Sequence, residues 1–221
     1  RIERALSFFD RLRIDHFRGF ARYWAIPAGA KSAREGAWAE GPGMEFFSRV
    51  FRRFEKGRII AEDLGCYDVQ TAQLLRSTGL AGMRVLQFAF DGSDSAHLPH
   101  NYPKNCVAYT GTHDNNTLLG FLWEADDKTR ARALSYCGFM GEDWGEGGYS
   151  SPPCRALIRA LFASCADTVI VPFQDICGFG ADTRVNVPSV PEGNWQWRMG
   201  PECLERADAA FIRSLNDLYF R

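Results

Sequence analysis

Residues 106–117 read CVAYTGTHDNNT, and an apolar run typical of a strand passes there into a polar segment that contains Asp114. The same order occurs at three other places, where Asp15, Glu62 and Asp175 each follow a short apolar run. In a parallel barrel the carboxyl ends of the strands converge on one face, and active sites are built on that face. The sequence therefore predicts that acidic side chains gather at one end of a set of parallel strands.

Strands and helices alternate on either side of this segment. The predicted strands are residues 12–15, 58–64, 83–90, 106–112 and 168–173. The predicted helices are residues 44–55, 69–77, 117–124, 128–136 and 153–165. This alternation is typical of an α/β fold, either part of a (β/α)8 barrel or an open doubly wound sheet. The nucleotide-binding patterns GxGxxG and GxxxxGK(S/T) do not occur in the sequence.

Composition narrows the class of protein. With 221 residues, 46% hydrophobic and 24% charged, the chain resembles globular proteins and not disordered or fibrous ones. The 26 basic and 27 acidic side chains nearly cancel, so charge gives no reason to expect a nucleic acid or a membrane surface as partner. The seven cysteines form no CxxC pair, and we expect buried reduced thiols without disulfides or a zinc site.

Three of the strand-end acids have the spacing of βα units. Asp15 and Glu62 are 47 residues apart, and Glu62 and Asp114 are 52 residues apart. Like charges held close together raise the pKa of one carboxyl, which then donates a proton near neutral pH. A carboxylate beside a carboxylic acid is the arrangement that cleaves glycosidic bonds, with retention of configuration when the two are about 5 Å apart.

Arg13 lies two positions before Asp15, so on a strand the two side chains point to the same face. A guanidinium beside Asp15 keeps that carboxylate ionised, as a nucleophile requires. A structural ion pair is the alternative interpretation of Arg13 and Asp15. Glu62 and Asp63 are equally consistent with a helix-capping pair, and residues 113–117 with a polar loop and a helix cap.

Four longer runs carry a resemblance to a known family. They are RIDHFRGFARYWAIPAGAKSAREGAWAEGPGMEFF (13–47), IIAEDLG (59–65), LPHNYPKNCVAYTGTHDNNT (98–117) and RVNVPSVPEGNWQWR (184–198). The chain resembles the amylomaltase or disproportionating enzyme family, 4-α-glucanotransferases of the α-amylase clan (glycoside hydrolase family 77), from about residue 12 to the C-terminal helix. The resemblance implies the C-terminal part of a (β/α)8 TIM barrel, strands about four to eight, with residues 1–221 as one partial catalytic domain.

The resemblance also implies roles for five residues. Asp15 corresponds to the nucleophile, and Glu62 to the general acid and base. Asp114 corresponds to the acid that binds sugar hydroxyls and stabilises the transition state. Arg13 corresponds to the arginine beside the nucleophile, and His113 to a histidine that touches the same sugar.

Further substrate contacts are expected from the same resemblance. Phe88 and Asn186 correspond to such contacts, and Trp24 and Trp38, in the loop after the fourth barrel strand, are either sugar-stacking surfaces or hydrophobic anchors of that loop. The sequence departs from the family pattern at Asn116, where an acid is common, and we expect this to tune activity. A second departure is NVPSVPEGNW, residues 186–195, where a Pro-Gly-Thr sequence is usual.

The activity implied by the resemblance is the transfer of α-1,4-glucan segments between maltooligosaccharides or chains derived from starch or glycogen, by a retaining double displacement. We expect no metal and no organic cofactor, no nucleic-acid or membrane partner, and a cytoplasmic location with a plastid as the alternative. Two rival functions stay open. One is a retaining α-glucan hydrolase or branching enzyme of the same clan, and the other is a non-catalytic glucan-binding fragment.

The first residues, Arg-Ile-Glu-Arg, suggest a piece of a longer protein that begins inside a helix. The resemblance places the first three barrel strands, and thus the N-terminal half of the same barrel, before Arg1. A barrel that lacks three strands has unpaired strand edges. We therefore expect these 221 residues alone to be inactive and prone to aggregate.

Overall fold

The computed structural model describes residues 1–65, 68–92, 95–144 and 151–221. The chain divides into two compact units. The first contains residues 1–83 with 105–107, and the second contains residues 84–104 with 108–221. Both units combine short strands with helices, as the alternating sequence pattern predicts.

The first unit is arranged around two parallel strands. Its elements are α1 (Ile2–Leu6), β1 (Leu12–Ile14), α2 (Arg18–Ala21), β2 (Arg22–Ala25), β3 (Ala37–Glu40), α3 (Gly43–Phe51), β4 (Ile59–Ala61) and α4 (Val69–Thr78). β1 pairs in parallel with β4, so that Leu12 faces Ile59 and Ile14 faces Ala61. Ile60 also forms a parallel bridge to Ala81. These pairings agree with the predicted parallel strands.

Aromatic side chains fill the core of the first unit. Phe17 and Phe47 are fully buried, and their ring centroids lie 5.4 Å apart. Phe47 and Val50 lie on the buried face of α3 and share a core cluster with Ile59 of β4. The apolar stripe of this helix therefore packs against the strands, as predicted, and is not a ligand surface.

An antiparallel ribbon separates α2 from α3. β2 and β3 pair with Trp24 directly opposite Trp38, and this ribbon lies in the connection between β1 and α3. Each strand has only four residues, too few for a clear alternating pattern, so the sequence does not predict this pair of strands. Asp68, the N-cap of α4, forms a 2.8 Å ion pair with Arg22 of the ribbon.

The second unit is built on a three-stranded sheet. β5 (Gly82–Val85) and β6 (Cys106–Tyr109) each begin in the first unit and end in the second, and β7 (Thr168–Ile170) completes the order β5-β6-β7. The helices are α5 (Leu118–Glu124), α6 (Asp127–Tyr136), α7 (Pro152–Phe162), α8 (Phe173–Ile176), α9 (Glu202–Arg206) and α10 (Ala209–Tyr219). Leu157, Ile158 and Leu161 of α7 are fully buried, which accounts for the apolar period of this helix.

The five predicted strands all occur, and each ends earlier than predicted. The chain leaves β5 for a 3-10 helix at Leu86–Phe88, and it leaves β7 for α8. Asp175 therefore lies inside a helix and is only 2% exposed, so its predicted place at an open strand end was wrong. Because Phe173 and Ile176 are apolar, they continue the hydrophobic run of β7, and the sequence pattern does not show that a helix begins there.

The cysteines only partly follow the prediction. Those that are buried and free are Cys106, Cys154, Cys177 and Cys203. Cys137 is half-buried and Cys165 is exposed, so the expectation of burial was wrong for these two, and Cys66 lies outside the described residues. Burial raises the pKa of the Cys154 thiol to about 12, which keeps it unreactive. No helix within the described ranges has the length and apolar character to cross a bilayer.

Candidate functional site

The pairing of β1 with β4 brings Asp15 and Glu62 next to each other. Each follows directly on a paired strand residue, Asp15 after Ile14 and Glu62 after Ala61. The Glu62 N–H donates to the Ile14 carbonyl at 2.9 Å, and the Phe17 N–H donates to the Glu62 carbonyl at 2.9 Å. The parallel hydrogen-bond ladder thus continues past both strand ends and fixes the two acids at the same level.

Arg13 binds the first of these acids. Its Nη2 lies 2.6 Å from Asp15 Oδ1, and its Nε donates to the Met83 sulfur at 3.2 Å. The predicted common face of Arg13 and Asp15 is therefore confirmed. The Asp15 side chain is 70% exposed, so this ion pair adds little to stability, which favours a functional over a structural interpretation.

Backbone donors hold the Glu62 carboxylate in place. Oε1 accepts from the Leu64 N–H at 2.8 Å, and Oε2 accepts from the His16 N–H at 2.7 Å. His16 has a left-handed backbone with φ of 50°, between Asp15 and the fully buried Phe17. A non-glycine residue in this region is strained, and such strain is concentrated at functional sites.

The helix-capping interpretation of Glu62 and Asp63 is wrong. Asp63 Oδ1 accepts from the Met83 N–H at 2.6 Å, and its carboxylate lies so close to Gly82 that a Cβ there would come within 2.8 Å of it. The N-cap of α4 is instead Asp68, which accepts from the Thr71 N–H at 3.1 Å. Asp63 therefore ties the end of β4 to the start of β5.

In the second unit, Asp114 is the centre of another polar group. Its Oδ1 accepts from Asn186 Nδ2 at 2.5 Å and lies 3.3 Å from His113 Nε2. The Arg184 guanidinium donates to the Asp114 carbonyl at 2.7 Å and to the Asn186 carbonyl at 2.9 Å. The structure thus brings three predicted site residues, His113, Asp114 and Asn186, into one cluster.

Trp195 belongs to this cluster although the sequence analysis did not single it out. Its ring centroid lies 5.4 Å from that of His113, with 35° between the planes, and the side chain is largely exposed. Its backbone is left-handed, with φ of 62°, and its N–H donates to the Val185 carbonyl at 2.6 Å. The only signal in the sequence was its place in the family run 184–198.

The buried carboxylate of Asp175 holds the segment that carries His113 and Asp114 in place. The Thr110 hydroxyl donates to Asp175 Oδ2 at 2.5 Å, and the Leu118 N–H donates to Asp175 Oδ1 at 2.7 Å. Burial raises the pKa of the Asp175 carboxyl to about 6, although these two hydrogen bonds act in the opposite direction.

The segment also caps a helix. Thr117 is the N-cap of α5, and its hydroxyl accepts from the Gly120 N–H at 3.1 Å, so the helix-cap interpretation of this run is correct as well. Asn116, at the position where the family commonly has an acid, is buried. Its Oδ1 accepts from the Thr117 N–H at 2.8 Å, and its buried Nδ2 has no hydrogen-bond partner.

The other predicted contacts are aromatic and half-exposed. Phe88 is 39% exposed and packs edge-on against His97 with centroids 5.5 Å apart. Trp24 and Trp38 form a T-shaped pair at 5.4 Å on the ribbon, and the guanidinium of Arg22 covers Trp38 at 4.5 Å. Both tryptophans are thus anchored on the ribbon, while parts of both side chains remain exposed.

The predicted site residues therefore form two clusters in different units. The first contains Arg13, Asp15 and Glu62, with the tryptophan ribbon in the same unit. The second contains His113, Asp114 and Asn186, with Phe88 in the same unit. Within the described parts of the chain, no three His, Cys, Asp or Glu side chains are grouped so that they would hold a metal ion.

Known proteins are similar to this chain in sequence and in fold. The sequence model of a family described as 4-alpha-glucanotransferase matches residues 1–203. A 4-alpha-glucanotransferase of Arabidopsis thaliana, named as chloroplastic/amyloplastic, is 44% identical over 203 residues, which cover 90% of this chain and 33% of that protein. The 4-alpha-glucanotransferase of Clostridium butyricum is 40% identical over 223 residues, covering 100% and 44% of the two chains.

A solved structure agrees with the sequence matches. The amylomaltase from Streptococcus agalactiae in complex with acarbose superposes with a TM-score of 0.89 and 36% identity, covering 100% of this chain and 43% of that chain. The chain therefore spans 33% to 44% of the length of these proteins, which is less than half of each.

Asp175→Asn is expected to remove a pH dependence of the stability. The folded pKa is about 6 and the ordinary value is 3.8, so the folded chain binds this proton more tightly than the unfolded chain between these values. The contribution of this bound proton to the free energy of unfolding is complete below about pH 4 and is lost as the pH rises to about 6. The free energy of unfolding therefore falls by roughly 3 kcal/mol over this range, and the Asp175→Asn variant should not show this fall.

Urea unfolding of the whole protein, unsubstituted and with Asp175→Asn, at several values between about pH 4 and 7 measures this difference. Asp126→Asn is the control, because hydrogen bonds from Thr129 lower the pKa of Asp126, and its stabilisation changes only below this range. Parallel pH profiles for the unsubstituted protein and Asp175→Asn would contradict the prediction.

Proposed function

This chain belongs to the 4-alpha-glucanotransferase family, glycoside hydrolase family 77, and on that premise we propose that the protein containing it transfers α-1,4-glucan segments between maltooligosaccharides or chains derived from starch or glycogen. The observation that carries the proposal is the placement of Asp15 beside Glu62 by the parallel β1–β4 pair, with Arg13 on Asp15. One carboxylate held by a cation beside a second carboxyl is the pair of groups that retaining glycoside chemistry needs.

The proposed architecture is the C-terminal part of a (β/α)8 barrel. β1, β4, β5, β6 and β7 would be strands four to eight, and the rest of the protein would supply the first three. The parallel β1–β4 pair, the bridge from Ile60 to Ala81 and the order β5-β6-β7 support this arrangement. In such a barrel the carboxyl ends of the strands form the face on which active sites are built, and residues 1–221 form one partial domain.

In the first chemical step, Asp15 attacks the anomeric carbon of the donor glucan. A bond forms between a carboxylate oxygen of Asp15 and this carbon, the glycosidic bond breaks, and Glu62 gives its proton to the departing oxygen. Each Glu62 oxygen accepts one backbone N–H and keeps a second lone-pair site, on which the proton is carried. Arg13 forms a 2.6 Å ion pair with the Asp15 carboxylate and holds it in place before the attack.

In the second step, an acceptor glucan takes the place of the departed chain. Its 4-hydroxyl loses a proton to Glu62 and attacks the anomeric carbon, which releases the Asp15 carboxylate. Two inversions restore the α configuration. Water in place of the acceptor gives hydrolysis, so transfer depends on sites that bind sugar and exclude water.

The cluster in the second unit is assigned to the sugar ring at the reaction centre. Asn186 and His113 both contact Oδ1 of Asp114, and we assign Oδ2 to a sugar hydroxyl. A charged hydrogen bond of this kind strengthens as positive charge develops on the ring in the transition state. Stabilisation of that charge is the role we propose for Asp114.

Aromatic side chains complete the proposed substrate contacts. Phe88, Trp24 and Trp38 retain exposed ring surface, which suits stacking on pyranose faces. The chemistry needs neither a metal nor an organic cofactor, and α-1,4-glucans are the only partners that we propose. The proposed location is the cytoplasm, or a plastid if the source is a plant, because the Arabidopsis relative is named as plastidial.

Product analysis separates transfer from the rival functions. Incubation of the whole protein with maltotriose is expected to give a ladder of shorter and longer chains, because the second glucan accepts the glycosyl unit. Glucose and maltose alone would indicate a hydrolase, α-1,6 linkages would indicate a branching enzyme, and glucan binding without turnover would indicate a non-catalytic protein. Each of these three outcomes contradicts the proposal.

Asp15→Asn in the whole protein is expected to lower kcat for transfer by about 10⁴-fold or more, because the amide is no nucleophile. Glucan affinity should remain largely unchanged, since the side chain keeps its size. Asp10→Asn, an exposed aspartate in the same unit, is the control and should retain full activity. Activity of Asp15→Asn near that of the control would remove Asp15 from its role.

Glu62→Gln is expected to lower kcat on maltooligosaccharides by about 10²- to 10⁴-fold, because it removes the proton donor. Aryl or fluoride glycosides need little protonation of the leaving group, so the first step should recover on such donors. Single-turnover release of the aryl group measures this recovery, with the exposed Glu55→Gln variant as control. Equal losses on natural and activated donors would refute the assignment of Glu62.

A further inference from the structure

One buried carboxylate holds both ends of the segment that carries His113 and Asp114. Thr110, directly after β6, donates its hydroxyl hydrogen to Asp175 Oδ2 at 2.5 Å. Leu118, the first residue of α5, donates its N–H to Asp175 Oδ1 at 2.7 Å. The two oxygens of a single carboxylate thus set the distance between the end of the strand and the start of the helix.

We propose that Asp175 is a positioning residue for catalysis, which fixes residues 110–118 so that His113 and Asp114 reach the sugar at the reaction centre. This inference rests on the proposed function, because it assumes that Asp114 acts on the glucan. Asp175 itself is 2% exposed and does not touch substrate.

Stability does not explain why a carboxylate is buried at the position of Asp175. Removing a carboxylate from water is costly, and an apolar residue of similar volume would often stabilise the core as well or better. Burial, with a smaller contribution from the charge of Asp175, raises the pKa of the Cys154 thiol of α7 to about 12, so this thiol remains neutral and supplies no compensating charge. Two acceptors at a fixed spacing are what the carboxylate supplies and an apolar side chain cannot.

The remainder of the segment transmits this constraint to Asp114. Gln87 donates to the Asn116 carbonyl at 2.8 Å, and the Thr112 hydroxyl and N–H both donate to Asn115 Oδ1 at 2.9 Å. The Asp114 N–H donates to the Thr112 hydroxyl at 3.3 Å. A segment so closely bonded moves as a body when one of its ends shifts, and a shift of about 1 Å is enough to lower a rate by about 100-fold.

The test is a double-mutant cycle of Asp175→Asn and Asp114→Asn in the whole protein, with kcat and KM for maltotriose disproportionation. Asp175→Asn alone is expected to lower kcat by about 10- to 100-fold while KM changes by less than about threefold. In the Asp114→Asn background the same substitution should lower kcat by a factor at least about threefold smaller, because Asp114 is already lost and only the placement of His113 remains to be disturbed. Equal factors in both backgrounds, or no effect in either, would overturn the proposal.

Thr110 provides a second test that leaves the carboxylate in place. Thr110→Val removes the hydroxyl at nearly constant volume and should reproduce the loss of kcat, whereas Thr110→Ser keeps the hydroxyl and should restore most of it. This pair decides the question if Asp175→Asn does not fold, and equal rates for the valine and serine variants would contradict the proposal. Asp126→Asn, which alters an exposed helix cap in the same unit, should leave kcat unchanged.

The unsubstituted protein separates this inference from the proposed function. If it does not disproportionate maltotriose, the proposed function has failed, and the positioning role fails with it. If it is active and the cycle is additive, only the positioning role of Asp175 is wrong.

Discussion

The parallel pairing of β1 with β4 is the constraint on which the proposed chemistry depends. Because side chains alternate along a strand, a shift of the register by one residue would turn Asp15 or Glu62 to the opposite face. The register is held by the ladder that runs from Leu12 and Ile59 to the carbonyl of Glu62. Phe17, buried directly after this point, anchors the chain in the aromatic core, so that core packing fixes the position of the acids.

Several features of the two polar clusters contribute little to stability or oppose it, and they are consistent with catalysis. His16 has a left-handed backbone, and its N–H donates to the Glu62 carboxylate at 2.7 Å. Arg13 and Asp15 form an exposed pair of low stabilising value, and Asp175 is a buried carboxylate. Burial of the apolar core residues around Phe47 and Leu157 offsets such costs. The stabilisation from this burial is proportional to the apolar area removed from water, so it does not depend on how the polar groups are arranged.

Much of the fold follows from local sequence patterns. The helical period of α3 and α7 and the apolar runs of β1, β4 and β6 are visible without a structure, because each pattern reflects burial of one face. The short ribbon that pairs Trp24 with Trp38 is not predictable in this way, since its stability comes from cross-strand contacts and from the Arg22–Asp68 ion pair. The burial of Asp175 was also missed, because it depends on partners 65 and 57 residues away in the chain.

The most direct test of the account is the site of the covalent intermediate. An α-glucosyl fluoride with a fluorine substituent that slows the second step should trap the glycosyl-enzyme on the whole protein. Peptide mass spectrometry is expected to find the sugar on the Asp15 carboxylate, with faster turnover of the trapped species when maltotriose is added as acceptor. A label on another residue, or rapid disproportionation by a protein in which Asp15 is never labelled, would contradict the assignment of the nucleophile and the proposed role of the β1–β4 pair.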